Sequence, residues 1–512
     1  MDKAGEEIDE TVNIFINSGN LEIVTRDELP DQPEVIRYDA KDAVLIGMLN
    51  VGDPATFLLL NESPRENPDI LLDTKSHAIF GIARGEIRRN RLLRAGTKPK
   101  KPQGWFAYTP PPFALLLNAE SARKWNHFNW DKASMIFAAA LLLDRTNWIS
   151  QNNENELQVG DLRDHEGGEI RALRIGVIGA LKFKKPWIYT VYGATNAFSI
   201  GFDSRETDSF SWLDYRLDIP VFNGRILSVG KQKEPISMER LMTLISIPFQ
   251  ERAAASDALM TSRNLGVVLS GTELDGRMSW AGGVFNDWLE SGGSRSDGST
   301  QFTGRITGLP LITADESNLL HLGIGYRYSN AEEGFTTANG PEINIAPDFI
   351  DIGTLLFPDR FSTWNAEISW RKGPMWLSSE YTRSDVANTM NGDLSFSGFN
   401  VSASWILTGE MRAYNRKSGT FGPVPIAKHA NQGGWGAIEI GLRYSHTDLT
   451  DRTIFGGEMD VYSLAFNWWL QRNINFNINW RYVKLDKPAE TGGPMLHGQT
   501  SGIISRVVLL LD

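Results

Sequence analysis

The sequence predicts an all-β fold: a 16-stranded antiparallel transmembrane β-barrel, preceded by a small N-terminal extension of unknown fold. Three observations predict it. From about residue 129 onward, apolar residues recur with a period of two, the spacing that puts successive side chains on opposite faces of a strand. The alternating segments come to sixteen, an even number, and their connections mostly alternate between short and long. Trp and Tyr gather near segment ends, where a membrane interface would hold them. The 512 residues include 16 Trp, 12 Tyr and 48 Gly, a mixture suited to many strands joined by turns.

The N-terminal part comes first. Within a net charge of −11, residues 1–60 hold 13 acidic and 4 basic side chains, and residues 61–110 hold 5 and 10. Short strands are expected at Val12–Ile16, Leu21–Thr25 and Ala43–Leu49. The basic run Arg84, Arg88, Arg89, Arg91, Arg94, Lys98, Lys100 and Lys101 reads as a solvated linker. Contact with anionic lipid or lipopolysaccharide is the alternative; no nucleic-acid motif accompanies the run. Pro110–Pro112 resist both helix and ladder, so the division is 1–110, an acidic extension with a basic, Pro-rich linker facing the periplasm, and 111–512, the barrel. The extension is expected to be dispensable, with the barrel self-sufficient from residue 128. Met1–Glu7 is acidic and has no apolar core, so no signal peptide is read there and an exported protein would be seen as its mature chain.

Expected strands then follow at 129–144, 168–183, 185–199, 208–219, 223–232, 263–271, 277–288, 300–311, 319–329, 361–371, 375–387, 397–409, 434–447, 459–470, 473–486 and 501–511. The plainest is Ile474, Phe476, Ile478, Trp480 and Tyr482, alternating with Asn475, Asn477, Asn479 and Arg481. One face is wholly apolar and the other wholly polar. The poorest is the first, because Met135–Leu143 does not alternate and reads equally as a buried helix. Tight connections such as 184–186, 272–276, 372–374 and 471–473 oppose long ones at 145–167, 231–262, 330–360 and 487–500, the layout of an outer-membrane barrel. Trp364, Trp370, Trp376, Trp435, Tyr444, Trp468, Trp480 and Tyr482 are assigned to the interfacial girdle.

Other classes fit less well. There is no Cys, and the seven His are scattered without ligand spacing, so neither a metal site nor a cofactor is expected. No catalytic motif is present, so no enzyme is expected; a soluble all-β sugar-active protein is the competing class. A soluble sandwich would turn its apolar face inward and would not collect aromatic residues at strand ends.

Four blocks carry a resemblance. The first is Gly230–Pro235 with Met238–Leu241 and Phe249–Arg252. The second is Arg263–Val267 through Asp275–Trp280 to Gly283–Asn286. The third is Gly398–Trp405 through Leu407–Glu410 to Lys417–Gly422. The fourth is Gly434–Ala437 through Arg443–Ser445 and Gly457–Glu458 to Asn467–Leu470. In this order, over roughly 169–512, they resemble the phosphate-selective porin O and P family; residues 1–110 lie outside the resemblance. It implies an outer-membrane barrel of a Gram-negative bacterium, embedded in bilayer and lipopolysaccharide and usually a homotrimer, that passes small anions by passive diffusion. It also implies that residues 231–262 form a long loop folded into the lumen, and the stretch Ser237–Leu259 could hold a helix. The family usually ends on an aromatic residue; this chain ends Leu509-Leu510-Leu511-Asp512.

A selective pore needs lumen charge of one sign at a constriction. Parity turns Arg174, Lys182, Arg277, Arg327, Arg371, Arg443, Arg481 and Arg506 inward, against Glu367, Glu380 and Glu439. The loop adds Lys231, Lys233, Arg240 and Arg252, with Glu234, Glu239 and Glu251 beside them. These cations are the candidate anion path, because guanidinium forks suit phosphate and carboxylate oxygens. Ion pairs that pin the loop to the wall are the equally weighted alternative. The functional expectation is an anion-preferring porin. The alternatives are a general or organic-solute porin, or a barrel-anchored envelope tether whose extension binds a periplasmic partner.

Overall fold

In the computed structural model, residues 125–512 are described except 196–209, 223, 287–300, 331–334, 356–357, 389–391, 491–492 and 512; before them, seven strands are described by backbone alone. The chain divides into two units, Met1–Lys100 and Lys101–Asp512. In the first, Val12–Asn17, Asn20–Thr25 and Val35–Asp39 form an antiparallel sheet, Val44–Gly47 pairs with Phe57–Leu60, and Pro68–Asp73 pairs with Ala78–Arg84. The three strands expected here are all present. The basic run beyond Arg84 and the Pro110–Pro112 boundary lie outside the described residues.

The second unit is a closed antiparallel barrel. Its strands are β1 (Ala133–Gln151), β2 (Gly167–Leu181), β3 (Trp187–Thr195), β4 (Phe210–Pro220), β5 (Ile226–Lys233), β6 (Arg263–Glu273), β7 (Met278–Asn286) and β8 (Gln301–Ile312). They continue as β9 (Asn318–Asn330), β10 (Pro358–Lys372), β11 (Met375–Asn388), β12 (Leu394–Ile406), β13 (Ala437–Asp451), β14 (Ile454–Gln471), β15 (Ile474–Pro488) and β16 (Met495–Leu511). Each strand pairs with the next, and β16 closes on β1 from Thr500↔Gln151 to Leu511↔Ala139. Where β16 stops, the short strand His127–Asn129 continues along β1. Asn126 and His127 therefore belong to the barrel: Asn126 Nδ2 donates to Phe137 O. A self-sufficient piece must begin before them, not at residue 128.

All sixteen expected strands exist. Some run further on the long-loop side: β1 reaches Gln151, β14 starts at Ile454 and β16 at Met495. Backbone pairing continues where the apolar alternation stops, because ladder hydrogen bonds need no apolar side chain. The lipid-facing rows are as parity assigned them. Ile478 is 37% exposed in the isolated chain and its neighbour Asn477 only 7%. Tyr444, Tyr462 and Tyr482 lie ring against ring on adjacent outward positions. Trp376 is the exception to the girdle. It is 6% exposed and packs inward against Phe421; it shares parity with Glu380, so the lumen was its consistent place.

β1 is a strand, not a helix, and its lack of alternation has a cause. Its outer face meets lipid, while Ile136, Ala138, Ala140 and Leu142 face inward into an apolar cluster that includes Met238, Met242, Leu244 and Ile247. Both faces are covered by apolar partners, so both read as apolar.

Three segments fill the lumen. One is the 234–262 connection. It holds two short helices, α1 (Met238–Leu241) and α2 (Ala254–Leu259), in place of one helix over 237–259; Pro248 stands between them and denies a continuous helix its amide donor. The second is the β9–β10 connection, which carries the pair Phe335–Asn339 and Ile350–Leu355. The third, 407–436, buries Arg412, Tyr414, Phe421 and Val424. It enters from the short-turn end, which is the periplasmic end in such barrels, and so breaks the expected alternation of connection lengths. Wall glycines admit the loop: a Cβ at Gly325 would meet Ile236 O at 1.9 Å, and one at Gly398 would meet Ala255 Cβ at 2.6 Å.

Candidate functional site

The 234–262 loop is clamped to the wall at three levels. At its entry, Arg327 Nε donates to Glu234 Oε2 at 3.0 Å and Asn264 Nδ2 donates to Glu234 Oε1 at 2.5 Å. At α1, Ser237 Oγ accepts from Arg240 N at 3.0 Å. Two wall carboxylates take the neighbouring amides: Met238 N donates to Glu367 Oε2 and Glu239 N to Glu380 Oε1, each at 2.6 Å. At the far side, Glu251 receives Arg171 Nε and Nη2, both at 2.9 Å, and Arg506 Nη2 at 2.6 Å. Arg506 also grips Asp144 on β1 at 2.7 and 2.6 Å. The loop thus leaves β5, crosses the lumen and is held on the far side by β16 and β2, with Asp144 of β1 behind Arg506.

Burial alone would raise the Glu251 carboxyl, but Arg171 and Arg506 outweigh burial and hold it at about 2. A depressed carboxyl contributes stability above its ordinary value of 4.5, and that contribution is lost as pH falls through the folded value. We therefore expect this end of the loop to stay fixed down to about pH 4.5 and to loosen between there and about pH 2. Acid titration of single-channel noise checks it, and noise that rises only near neutral pH would count against the clamp.

The candidate cations fall into three groups. Lys233 Nζ donates to the carbonyls of Arg240, Leu241 and Met242 at 2.8, 3.1 and 2.8 Å. Arg240 donates to Thr261 O and pairs with Asp257. Arg252 donates to Glu239 O and Met242 O at 3.2 and 2.8 Å; burial lowers it to about 10, so it stays cationic at neutral pH. These three hold the loop's own shape, and Lys231 is buried beside them at the end of β5. Arg174, Arg327, Arg371, Arg443, Arg481 and Arg506 are buried on the wall. Arg443 pairs with Glu342 and approaches Glu239 at 3.5 Å.

Two assignments do not hold. Arg277 is not on the lumen wall. It lies in the tight turn before β7, exposed, and donates to Leu309 O and Pro310 O. Lys182 lies just past the end of β2, where its ammonium donates to Asn129 Oδ1 and Trp130 O. Parity extrapolated past a strand end loses its meaning, because turn residues leave the pleat.

Parity also missed residues. Arg171 is fully buried on Glu251, yet strict alternation from Arg174 points it at lipid. A β-bulge between Ile170 and Ala172 shifts the register and turns it in. Arg305 was legible from the β8 alternation: it donates to Glu367 Oε1 at 2.9 and 2.5 Å and to Ser418 O and Gly419 O at 2.7 Å. His321 bridges Glu367 at 3.0 Å and Tyr414 at 2.7 Å. Glu367 therefore joins the crossing loop to the 407–436 segment. On that segment Arg412 pairs with Glu439.

Two cavities among the described residues border the loop. A cavity of about 70 Å³ is lined by Arg216, Asp218, Ser228, Leu241, Ser279, Arg305 and Lys417, and one of about 30 Å³ by Arg252, Asp257, Glu342 and Asp348 among others. Arg216 pairs with Asp218 at 2.9 Å in the first. Mixed charge and hydroxyl groups in a narrow space can exchange hydration for direct contact with a small polar solute.

The sequence profile of the family described as phosphate-selective porin O and P matches residues 146–501, from within β1 to within β16. An uncharacterised protein of Caulobacter vibrioides is 27% identical over 287 residues, 53% of this chain and 56% of that protein, so the chain spans little more than half the length of this relative. Porin O of Pseudomonas aeruginosa is 22% identical over 345 residues, 60% of this chain and 75% of that protein. Among solved structures, the anion-selective porin from Comamonas acidovorans is similar with a TM-score of 0.48 and 13% identity, covering 74% of this chain and 100% of that one. The outer-membrane channel DcaP of Acinetobacter baumannii has a TM-score of 0.44 and 9% identity, covering 75% and 99%. The closed barrel and a profile match over most of its length together show that this chain belongs to the phosphate-selective porin O and P family, barrels of the Gram-negative outer membrane.

Proposed function

We propose that the protein is a passive porin that prefers small anions, phosphate among them, and that it works as a homotrimer. The observation that carries this reading is the charge on the inner wall. Arg171, Arg174, Arg216, Arg305, Arg327, Arg371, Arg443, Arg481 and Arg506 are buried or half-buried there, against Asp144, Glu169, Asp214, Asp218, Glu367, Glu380 and Glu439. A cationic excess in a narrow, low-dielectric passage attracts anions through the local field although the chain is acidic overall. Phosphate titrated into a bilayer that carries chloride current should lower that current in a saturable way. An unchanged current would leave a general or organic-solute porin.

Residues 1–110 are proposed as a separate periplasmic extension, because β1 begins at the short-turn end of the barrel. Expression of residues 111–512 is expected to yield a detergent-stable species whose gel migration shifts on heating. Failure of this piece to fold where the full chain folds would refute the division.

A further inference from the structure

Arg443, Ser463 and Arg481 stand side by side across β13, β14 and β15, in register and buried. Neighbouring strands lie about 4.8 Å apart, so two long guanidiniums flank one short hydroxyl. On the next rung Ala465 faces Asn479. The crossing loop covers this group from the lumen. The Phe249 ring lies 4.3 Å from the Arg443 guanidinium carbon, and Gln250 N donates to Asn479 Oδ1 at 3.0 Å.

Arg443 Nε, Ser463 Oγ, Asn479 Nδ2 and Arg481 Nε and Nη1 are buried and find no acceptor among the described protein atoms. The remaining Arg481 nitrogen reaches only Asn479 Oδ1, at 3.4 Å. The carboxylate nearest to Arg481, Glu342, stands 3.9 Å from Nε and is already bonded by Arg443 and Ser445. Buried donors are nearly always satisfied. Water alone suits this set poorly, because each water would bring two further donors and the Gln250 Oε1 is the one unmatched amide acceptor beside them. A species that accepts on every side is the complement.

We propose that Arg443, Ser463, Asn479 and Arg481 hold a small monovalent anion of chloride size between the loop and the wall, apart from the solute path. Glu342 and Glu251 stand close enough to disfavour a doubly charged oxyanion. The anion fixes the loop against β13–β15, and this holds whether or not the pore prefers anions.

The test uses the full chain in detergent, with the midpoint of thermal barrel loss measured in sodium chloride and in sodium gluconate at equal ionic strength. Gluconate is too large to sit among these buried side chains. The expected result is a saturable rise of the midpoint with chloride. Ser463→Ala should weaken the apparent chloride affinity about three- to tenfold, the loss of one hydrogen bond, and Arg481→Gln should abolish the response. If Arg481→Gln does not fold, Ser463→Ala carries the test alone. Crystals grown in bromide should show an anomalous peak between Arg443 and Arg481. Equal midpoints in the two salts would overturn the proposal, as would a chloride response that Ser463→Ala leaves unchanged or a bromide crystal without that peak.

Discussion

Glu251→Leu is expected to destabilise the barrel by about 3–5 kcal/mol, the cost of removing one partner from a buried ion pair. Leu has nearly the size of Glu, so the loss comes from charge and not from volume. Arg171 and Arg506 share this carboxylate and are 0% and 2% exposed. With Glu251 gone, Asp144 still holds Arg506, while Arg171 loses the carboxylate that binds two of its nitrogens. Two functional effects should accompany the loss. The far end of the loop is released, so conductance and current noise rise. The site also gains net positive charge, so anion preference increases. Denaturant unfolding in detergent micelles gives the first quantity and bilayer recording the others. A variant as stable and as quiet as the unmodified protein would mean that the loop is held elsewhere.

The second large effect concerns the outer face. Arg in place of Ile478, near the middle of β15, should cost about 2–4 kcal/mol, the penalty for a cation at the bilayer midplane of a barrel. Glu458→Arg on the neighbouring strand, at the exposed rim of the same face, should cost no more than about 1 kcal/mol, since the penalty fades toward the interface. Equal costs at the two positions would place the bilayer wrongly. Asn477 is not a neutral control. It accepts from Gln250 Nε2 at 2.7 Å and donates to Asn475, so a substitution there disturbs the loop.

The barrel was legible because lipid and lumen impose opposite polarity on alternate residues, and the strand ladder repeats that contrast sixteen times. It became illegible wherever one of those two environments changed. On β1 the lumen face turned apolar, because Ala138, Ala140 and Leu142 lie in the cluster with Met238 and Met242. At Arg171 a single bulge reversed the parity. At Arg277 and Lys182 the pleat had already ended. The 407–436 segment had no periodic signal to show that it enters the barrel, and its place follows from tertiary contacts such as Tyr414 with His321. Of the candidate site, the residue types were readable. Their pairing was not, because Arg506 with Glu251 and Arg443 with Glu342 join positions more than a hundred residues apart.

These pairings change what the cations are for. Much of the wall charge is spent on holding a loop across the lumen, and selectivity must come from the surplus, such as Arg371, whose hydrogen bonds go to the carbonyl oxygens of Arg412 and Glu316. The most direct test is the zero-current potential of the full-length protein in a planar bilayer across a potassium chloride gradient. A surplus of positive field in the passage predicts discrete conductance steps and a potential with the sign of chloride selectivity, reduced when Arg371→Gln removes one surplus charge. Cation selectivity, or a potential of zero that Arg371→Gln leaves unmoved, would contradict it.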